Sequence, residues 1–231
     1  MTEVQLPLSL RLDTDASFDN YYAPLGAELA VQALHNLAEG RGDKWVYLHA
    51  EVGRSHLLQA CALKADSCGQ LTRYIPLAEL RDVEPSALLE GCEELDLLCL
   101  DDIDAVIGDP AWERILFNCY NGMLACSGRL LVSSSKAISQ LHFDLPDFRS
   151  RLQSFTCFRL PPMSDEELVA ALQFRARLRG LEISSALAEF ILARSQRDLG
   201  GLFALLNRLD SSSLVEKRKL TIPFVKQVMG W

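Results

Sequence analysis

Long apolar runs are absent from this chain of 231 residues. A transmembrane helix needs roughly 20 consecutive apolar residues, and no hydrophobic stretch here approaches that length. The first residues, MTEVQLPLSLRLD, also lack the basic start and apolar segment of a secretory signal peptide. We therefore predict a cytoplasmic protein that does not span a membrane.

Paired cysteines of the form C-x-x-C are missing, although the chain contains seven cysteines and four histidines. The cysteines are scattered and odd in number, and most have apolar neighbours, as buried free thiols do. The histidines stand apart from one another, whereas structural zinc sites need Cys or His ligands at short spacings. The pattern argues against disulfides and against a structural metal site.

An excess of basic residues is also lacking, because the formal net charge is −8. Sequence-independent binding to nucleic acid depends on Lys and Arg that neutralise phosphates, so an acidic chain is a poor general binder of DNA or RNA. About half of the residues, 49%, are hydrophobic, which is enough for a substantial core. The length predicts one ordinary domain and a small second one.

Strand and helix signals alternate over the first two thirds of the chain, which predicts an α/β core with a doubly wound, five-stranded parallel sheet. Strands are predicted at Trp45–His49, Arg73–Leu77, Leu95–Leu100, Leu130–Ser133 and Phe155–Leu160. Helices are predicted at Ala27–Glu39, His56–Lys64, Ala111–Cys126 and Pro146–Leu152.

The pattern changes at Pro161-Pro162, after which no segment resembles a strand. Ser164 and Glu167 have the spacing of a capping box, which predicts a helix that runs to Gly180. Further helices are predicted at Ser185–Ser195, Leu199–Lys217 and Phe224–Met229. The organisation is therefore a flexible arm (1–14), an α/β core (15–161) and a small helical domain (162–231).

The segment WVYLHAEVGRSHLL has the frame of a phosphate-binding loop between a strand and a helix. The motif G-x-x-x-x-G-K-[ST] supplies backbone N–H groups and a Lys to phosphates. Gly53 and Ser55 match its second glycine and hydroxyl, but Arg54 replaces the Lys, Leu48 stands at the first glycine, and Glu51 adds a carboxylate. This pattern predicts a degenerate nucleotide site.

The segment LDLLCLDDID is an apolar strand that ends in two acids, Asp101 and Asp102. In phosphate-loop proteins the first acid of such a pair holds Mg²⁺ and the second group polarises water. If a nucleotide binds, Mg²⁺ would be held through Ser55 and Asp101. A buried strand followed by an acidic turn is the structural alternative.

These segments together resemble the AAA+ family and, within it, the bacterial replication initiator DnaA. VGRSHLLQA resembles a GLGKTHLLHA-type segment, and LLCLDDID resembles an LLLIDDIQ-type strand. LPDFRSRL resembles the stretch with the arginine finger, which implies that Arg151 reaches ATP on a neighbouring subunit. SFDNYY resembles an aromatic segment beside the adenine pocket, although an ordinary packing cluster is an equal alternative.

The resemblance also implies departures at the nucleotide. Gly200 stands where the family has its second-sensor Arg, and Ser135 stands where it has a first-sensor Asp or Asn. Several charge-assisted contacts, each worth roughly 1.5–3 kcal/mol, are therefore missing. We expect weak binding of ADP at best, no autonomous ATP turnover, and a helical lid domain after the core.

The arm contains QLPLSL, which resembles the motif Q-L-x-L-x-[LF] with which bacterial replication proteins bind the DNA polymerase III β sliding clamp. An extended peptide of this kind places apolar side chains in a groove while the Gln amide fixes its register. The predicted clamp-binding residues are Gln5, Leu6, Leu8 and Leu10. Packing of the arm on its own domain is the alternative.

The combined resemblance implies a negative regulator of replication initiation whose partners are DnaA and the DNA-loaded clamp. DnaA continues into a DNA-binding helix-turn-helix domain, whereas this sequence ends at Trp231, so no sequence-specific DNA binding is expected. Two alternatives stay open, namely a working ATPase such as a helicase loader, and an inert structural AAA+ subunit. Homo-oligomerisation is left open as well.

Overall fold

The computed structural model describes residues 16–195, 199–216 and 218–231, which fall into two units. The first unit contains the described residues up to Tyr21 and Glu28–Leu160, and the second contains Tyr22–Ala27 and Pro161–Trp231. The observed boundary lies one residue before the predicted one. The short segment Tyr22–Ala27, which the sequence placed in the core, belongs to the second unit, where the Leu25 N–H donates to the Glu167 carboxylate over 2.8 Å.

A five-stranded sheet forms the centre of the first unit, as predicted, and all of its strand pairs are parallel. The strands are β1 (Trp45–His49), β2 (Thr72–Pro76), β3 (Leu97–Asp101), β4 (Arg129–Ser134) and β5 (Thr156–Arg159). Their order across the sheet is β2-β3-β4-β1-β5. Every residue of β3 is buried, which explains its uninterrupted apolar sequence.

Six α-helices connect and cover these strands. They are α1 (Glu28–Ala38), α2 (Arg54–Ser67), α3 (Leu77–Leu80), α4 (Pro85–Leu89), α5 (Pro110–Ala125) and α6 (Pro146–Gln153). The sequence did not predict α3 and α4, because four or five residues are too few to show a helical period. The Asp109 carboxylate caps α5 by accepting from the N–H groups of Ala111 and Trp112.

The regular elements described in the second unit are all helices, namely α7 (Asp165–Leu178), α8 (Ser185–Leu192), α9 (Leu199–Glu216) and α10 (Ile222–Met229). The predicted capping box at the start of α7 is present, because Ser164 and Glu167 each accept a hydrogen bond from the other's backbone N–H. No helix in the described ranges is long and apolar enough to cross a membrane.

The register of the sheet determines where a site can form. In the ladders β4 lies between β1 and β3, so the carboxyl ends of these three strands are adjacent. Open parallel sheets bind ligands in the crevice beyond such ends. This edge holds the loop after His49, the acids at the end of β3, and the serines at the end of β4.

Glu113 on α5 is a fully buried carboxylate that organises the approach to α6. It accepts hydrogen bonds from the N–H groups of Gly108 (2.7 Å), Asp144 (3.1 Å) and Leu145 (2.6 Å). Leu145 is the residue that precedes α6, so this carboxylate fixes the start of that helix. A buried charge is stable only when it is hydrogen-bonded in this way.

We expect Glu113→Ala to lower the free energy of unfolding by about 3–5 kcal/mol, because three backbone N–H groups lose the buried carboxylate that accepts from them. Urea denaturation followed by circular dichroism measures this loss. The neighbouring Arg114 is exposed, so Arg114→Ala is the matched control and should change stability by less than about 0.5 kcal/mol. Equal effects of the two substitutions would contradict the role given to Glu113.

Candidate functional site: a filled phosphate loop and an exposed arginine

The loop between β1 and α2 is shorter than a phosphate-binding loop. The strand ends at His49 and the helix begins at Arg54, so only residues 50–53 connect them. The motif spans six residues from its first glycine to its second. Two of those positions, Leu48 and His49, are part of the strand here, and Leu48 is fully buried between Ser133 of β4 and Phe158 of β5. The loop therefore lacks the length to surround a phosphate.

The Arg54 side chain fills this short loop from within. Its Nη1 donates to the carbonyl oxygen of Ala50 and, over 3.0 Å, to that of Glu51, while Nη2 donates to Oδ1 of Asp102 over 2.6 Å. Only 12% of the side chain is exposed. A phosphate loop presents N–H groups to its ligand, whereas this loop presents carbonyl oxygens to a guanidinium. The Glu51 carboxylate, expected inside the loop, belongs to an exposed residue.

Asp102 is the carboxylate that forms an ion pair with Arg54 in the loop. Its backbone has φ 54°, in the left-handed region, and its N–H donates to the Ser133 hydroxyl over 2.9 Å. Burial raises the pKa of the Asp102 carboxyl, and the charges of Asp101 and Asp104 act in the same direction, while Arg54 opposes them. The Arg54 guanidinium therefore stabilises the ionised form of the Asp102 carboxyl, which burial and the neighbouring acids disfavour.

Asp101 is buried, and both of its oxygens accept hydrogen bonds from hydroxyl groups. Tyr74 of β2 donates to Oδ2 over 2.7 Å, and Ser133 of β4 donates to Oδ1. Burial and the Asp101 charge raise the pKa of Tyr74, so its hydroxyl stays a donor. Gln59 of α2 in turn donates to the Tyr74 oxygen over 3.4 Å. These contacts join α2, β2, β3 and β4 in one polar network.

The serines at the end of β4 contact different acids. Ser133 contacts Asp101, whereas Ser135, the expected first-sensor residue, donates from its hydroxyl and N–H to Asp104. Burial acts to raise the pKa of Asp104, but the hydrogen bonds from Ser135 and Ser134 together lower it. Only the sheet register shows which serine meets the acid pair, so the sequence pattern could not find Ser133 or Tyr74.

Tyr21 packs against the β1–α2 loop at Gly53. Gly53 has φ 86°, and a Cβ atom there would stand 3.0 Å from the Tyr21 hydroxyl oxygen. The Tyr21 ring also contacts that of His56, with centroids 5.5 Å apart, and His56 Nε2 lies 2.9 Å from the Ser17 carbonyl oxygen. Burial raises the pKa of Tyr21. The predicted aromatic segment thus packs on the loop itself.

In this arrangement the residues do not fit a nucleoside diphosphate or its Mg²⁺. The loop carbonyls face a cation, the Asp101 oxygens are bonded to hydroxyls, and Ser55 is half-buried as the second residue of α2. Among the described residues, no group of three or more Cys, His, Asp or Glu side chains has an arrangement that could hold a metal ion. Binding of ADP and Mg²⁺ stays a prediction, and it requires Arg54 to leave the loop.

Arg151, the predicted finger, lies near the carboxyl end of α6 and is exposed. Phe148 and Leu152 on the same helix are buried against the core and fix its position. The Arg151 Cζ lies 6.0 Å from the centroid of the Tyr120 ring. In the described part of the chain no carboxylate forms an ion pair with Arg151. Arg149 is also exposed.

Two predicted sites cannot be compared with the structure. The clamp-binding residues Gln5, Leu6, Leu8 and Leu10 lie outside the described residues. Gly200 is in the first turn of α9, and its surroundings lie outside what the structure describes. Both stay predictions.

The parallel core, the remnant of a phosphate loop, the acid pair and the helical second unit define an AAA+ protein. The model of the bacterial DnaA ATPase domain matches residues 12–157, more than half of the chain, and the chain belongs to this family. The model of the Hda lid domain matches residues 165–229. The chain therefore has the Hda architecture, a DnaA-related AAA+ core followed by this lid.

Solved structures agree with this fold. Domain III of the Thermotoga maritima initiator DnaA is 18% identical, with a TM-score of 0.78, and the match covers 94% of this chain and 97% of that one. DnaA bound to AMPPCP and single-stranded DNA is 16% identical, with a TM-score of 0.72 and coverages of 90% and 70%. The T. maritima RuvB Holliday junction branch migration motor is 19% identical, with a TM-score of 0.67 and coverages of 93% and 71%.

The filled loop leads to a prediction for Arg54. In an ordinary phosphate loop the basic residue strengthens nucleotide binding, but here it occupies the loop. Since ADP can bind only when Arg54 leaves the loop, we expect Arg54→Ala to bind ADP at least as tightly as the wild-type protein, with the Kd measured by titration with a fluorescent ADP analogue. Arg41→Ala, which removes an exposed arginine paired with Glu39, is the matched control. A loss of about tenfold or more with Arg54→Ala alone would show that Arg54 contacts the phosphates.

Proposed function

We propose that this DnaA-related protein is a negative regulator of replication initiation. It binds the DNA-loaded β sliding clamp through residues 5–10 and stimulates ATP hydrolysis by DnaA through Arg151 acting in trans. Its place of action, with these partners, is the cytoplasm. The observation that carries the proposal is an exposed Arg151 on α6 that forms no ion pair with any described residue, in a core whose own phosphate loop is filled by Arg54.

An arginine in this position is suited to act on another molecule's nucleotide. A guanidinium is always charged and presents its donors in a planar fork that matches phosphate oxygens. Delivered to the γ-phosphate of a partner, it places fixed positive charge where the transition state gains negative charge. Because no carboxylate among the described residues pairs with Arg151, this delivery breaks no ion pair in that part of the chain.

The filled loop supports an activator of DnaA over an autonomous enzyme. Turnover of ATP by this chain would need loop N–H groups that face the phosphates and an Asp101 carboxylate that is free. Here the loop turns carbonyl oxygens toward Arg54, and Ser133 and Tyr74 donate to Asp101. We propose that any nucleotide held here is weakly bound ADP. The same observation argues against a helicase loader that hydrolyses ATP.

An inert structural AAA+ subunit is the second candidate, and the filled loop favours it as much as it favours the regulator. The two differ at Arg151, because a purely structural subunit has no need of an exposed arginine at the end of α6. They differ also at the arm, because a purely structural subunit needs no clamp motif. Experiments at these two places therefore separate them.

The first experiment tests Arg151. We expect Arg151→Ala to lower the stimulated rate of ATP hydrolysis by DnaA at least about 100-fold, since fingers supplied by a partner contribute about 10³–10⁵ in GTPases. The assay mixes the purified protein, DNA-loaded clamp and ATP-bound DnaA, and follows conversion to ADP-bound DnaA.

Two matched variants serve as controls in this assay. Arg149→Ala removes an exposed arginine two residues away and should retain most of the stimulation. Arg151→Lys keeps the charge but loses the planar fork, so it should recover little. Full conversion with Arg151→Ala would remove the catalytic group from the proposal and favour the structural subunit.

The second experiment tests the arm. The double substitution Gln5→Ala and Leu6→Ala removes the amide that sets the register and one apolar anchor. We expect the affinity for the clamp to fall by at least about tenfold, or about 1.4 kcal/mol, while the fold is retained. Surface plasmon resonance on immobilised clamp measures the affinity, and Ser9→Ala, at a variable position of the motif, is the control. Unchanged affinity of the double variant would disprove the arm interaction.

A further inference from the structure

Two side chains on one face of α5 reach α6, the helix that carries Arg151. Glu113 and Tyr120 are seven residues apart, which places them about two turns apart on the same side of α5. Glu113 accepts from the N–H groups of Asp144 and Leu145 at the start of α6. Tyr120 contacts the guanidinium of Arg151 near the other end of α6. The spacing along α5 therefore matches the two ends of α6.

The backbone of Arg151 is fixed independently of this contact. Its carbonyl oxygen accepts from the N–H of Ser154 over 3.0 Å and from the Ser154 hydroxyl over 2.6 Å. Phe148 and Leu152, one on each side along the helix, are 2% and 0% exposed. The guanidinium of Arg151 can therefore move mainly by rotation about its side-chain torsions.

The Tyr120 ring is held rigidly. It is 5% exposed and lies between Trp45 of β1, with centroids 4.9 Å apart, and Phe155, at 5.9 Å. Trp45 and Phe155 also contact each other, with centroids 5.9 Å apart, so the three rings form a closed cluster. The face of such a ring attracts a guanidinium within about 6 Å. A buried ring packed against two other rings therefore offers the exposed guanidinium a defined contact.

We propose that Tyr120 is a positioning residue that orients the Arg151 guanidinium before DnaA binds. The inference rests on the proposed function, because it concerns the same arginine. Held on the ring, the guanidinium keeps less rotamer freedom to lose when it engages the partner's phosphate. Removal of the ring should lower the stimulated rate at saturation, while the concentration of this protein that gives half-maximal stimulation stays unchanged.

The experiment compares Tyr120→Leu, which removes the ring, with Tyr120→Phe, which keeps it. We expect Tyr120→Leu to lower the saturating rate of DnaA-stimulated hydrolysis about two- to fivefold, the range of an exposed cation–π contact. Tyr120→Phe should retain the wild-type rate. In the Arg151→Ala background Tyr120→Leu should have no further effect, because the two residues act through one interaction.

A second readout is independent of DnaA. The Nε–Hε NMR signal of Arg151, assigned by its loss in Arg151→Lys, should carry a ring-current shift that Tyr120→Leu abolishes and Tyr120→Phe retains. An unshifted Arg151 signal, or an unchanged saturating rate in Tyr120→Leu while Arg151→Ala loses stimulation, would overturn the positioning role alone. Full stimulation by Arg151→Ala would overturn the proposed function, and a shifted signal would still leave the contact itself established.

Discussion

The hydrogen bonds of Arg54 are the constraint on which the rest of the site depends. One guanidinium joins the carbonyl oxygens of Ala50 and Glu51 to the carboxylate of Asp102, and so links the β1–α2 loop to the end of β3. The loop has four residues, too few to surround a phosphate, and the arginine satisfies polar groups that a bound anion could not. The core thereby keeps the fold of a nucleotide-binding domain, but the Arg54 side chain occupies its phosphate loop.

This closure changes the role of the neighbouring acids. In a working site a carboxylate at the end of β3 would be available to a metal ion, but here Tyr74 and Ser133 hold Asp101 from two adjacent strands. The sheet edge is thereby a structural support, while Arg151 lies exposed on α6, whose start is held by the Glu113 carboxylate.

Much of the fold could be predicted from the sequence, because each central strand is an uninterrupted apolar run between turn signals. The predicted bounds of β1 are the observed ones, and those of the helix of Arg151 differ by one residue at its end. What failed was non-local. The inward direction of Arg54 depends on a partner 48 positions away, and the place of Leu25 in the second unit depends on Glu167, 142 positions away. The contact of Ser133 with Asp101 depends on strand register, which composition does not encode.

The central claim is the proposal that Arg151 acts on a nucleotide held by DnaA. The most direct test measures how tightly the protein, on DNA-loaded clamp, binds DnaA in three nucleotide states: ATP-bound, ADP-bound, and ADP with aluminium fluoride, which mimics the transferring phosphoryl group. Enzymes bind transition-state mimics more tightly than ground states. The account predicts the tightest association in the aluminium fluoride state, and loss of that preference in Arg151→Ala. Equal affinities for all three states would contradict it.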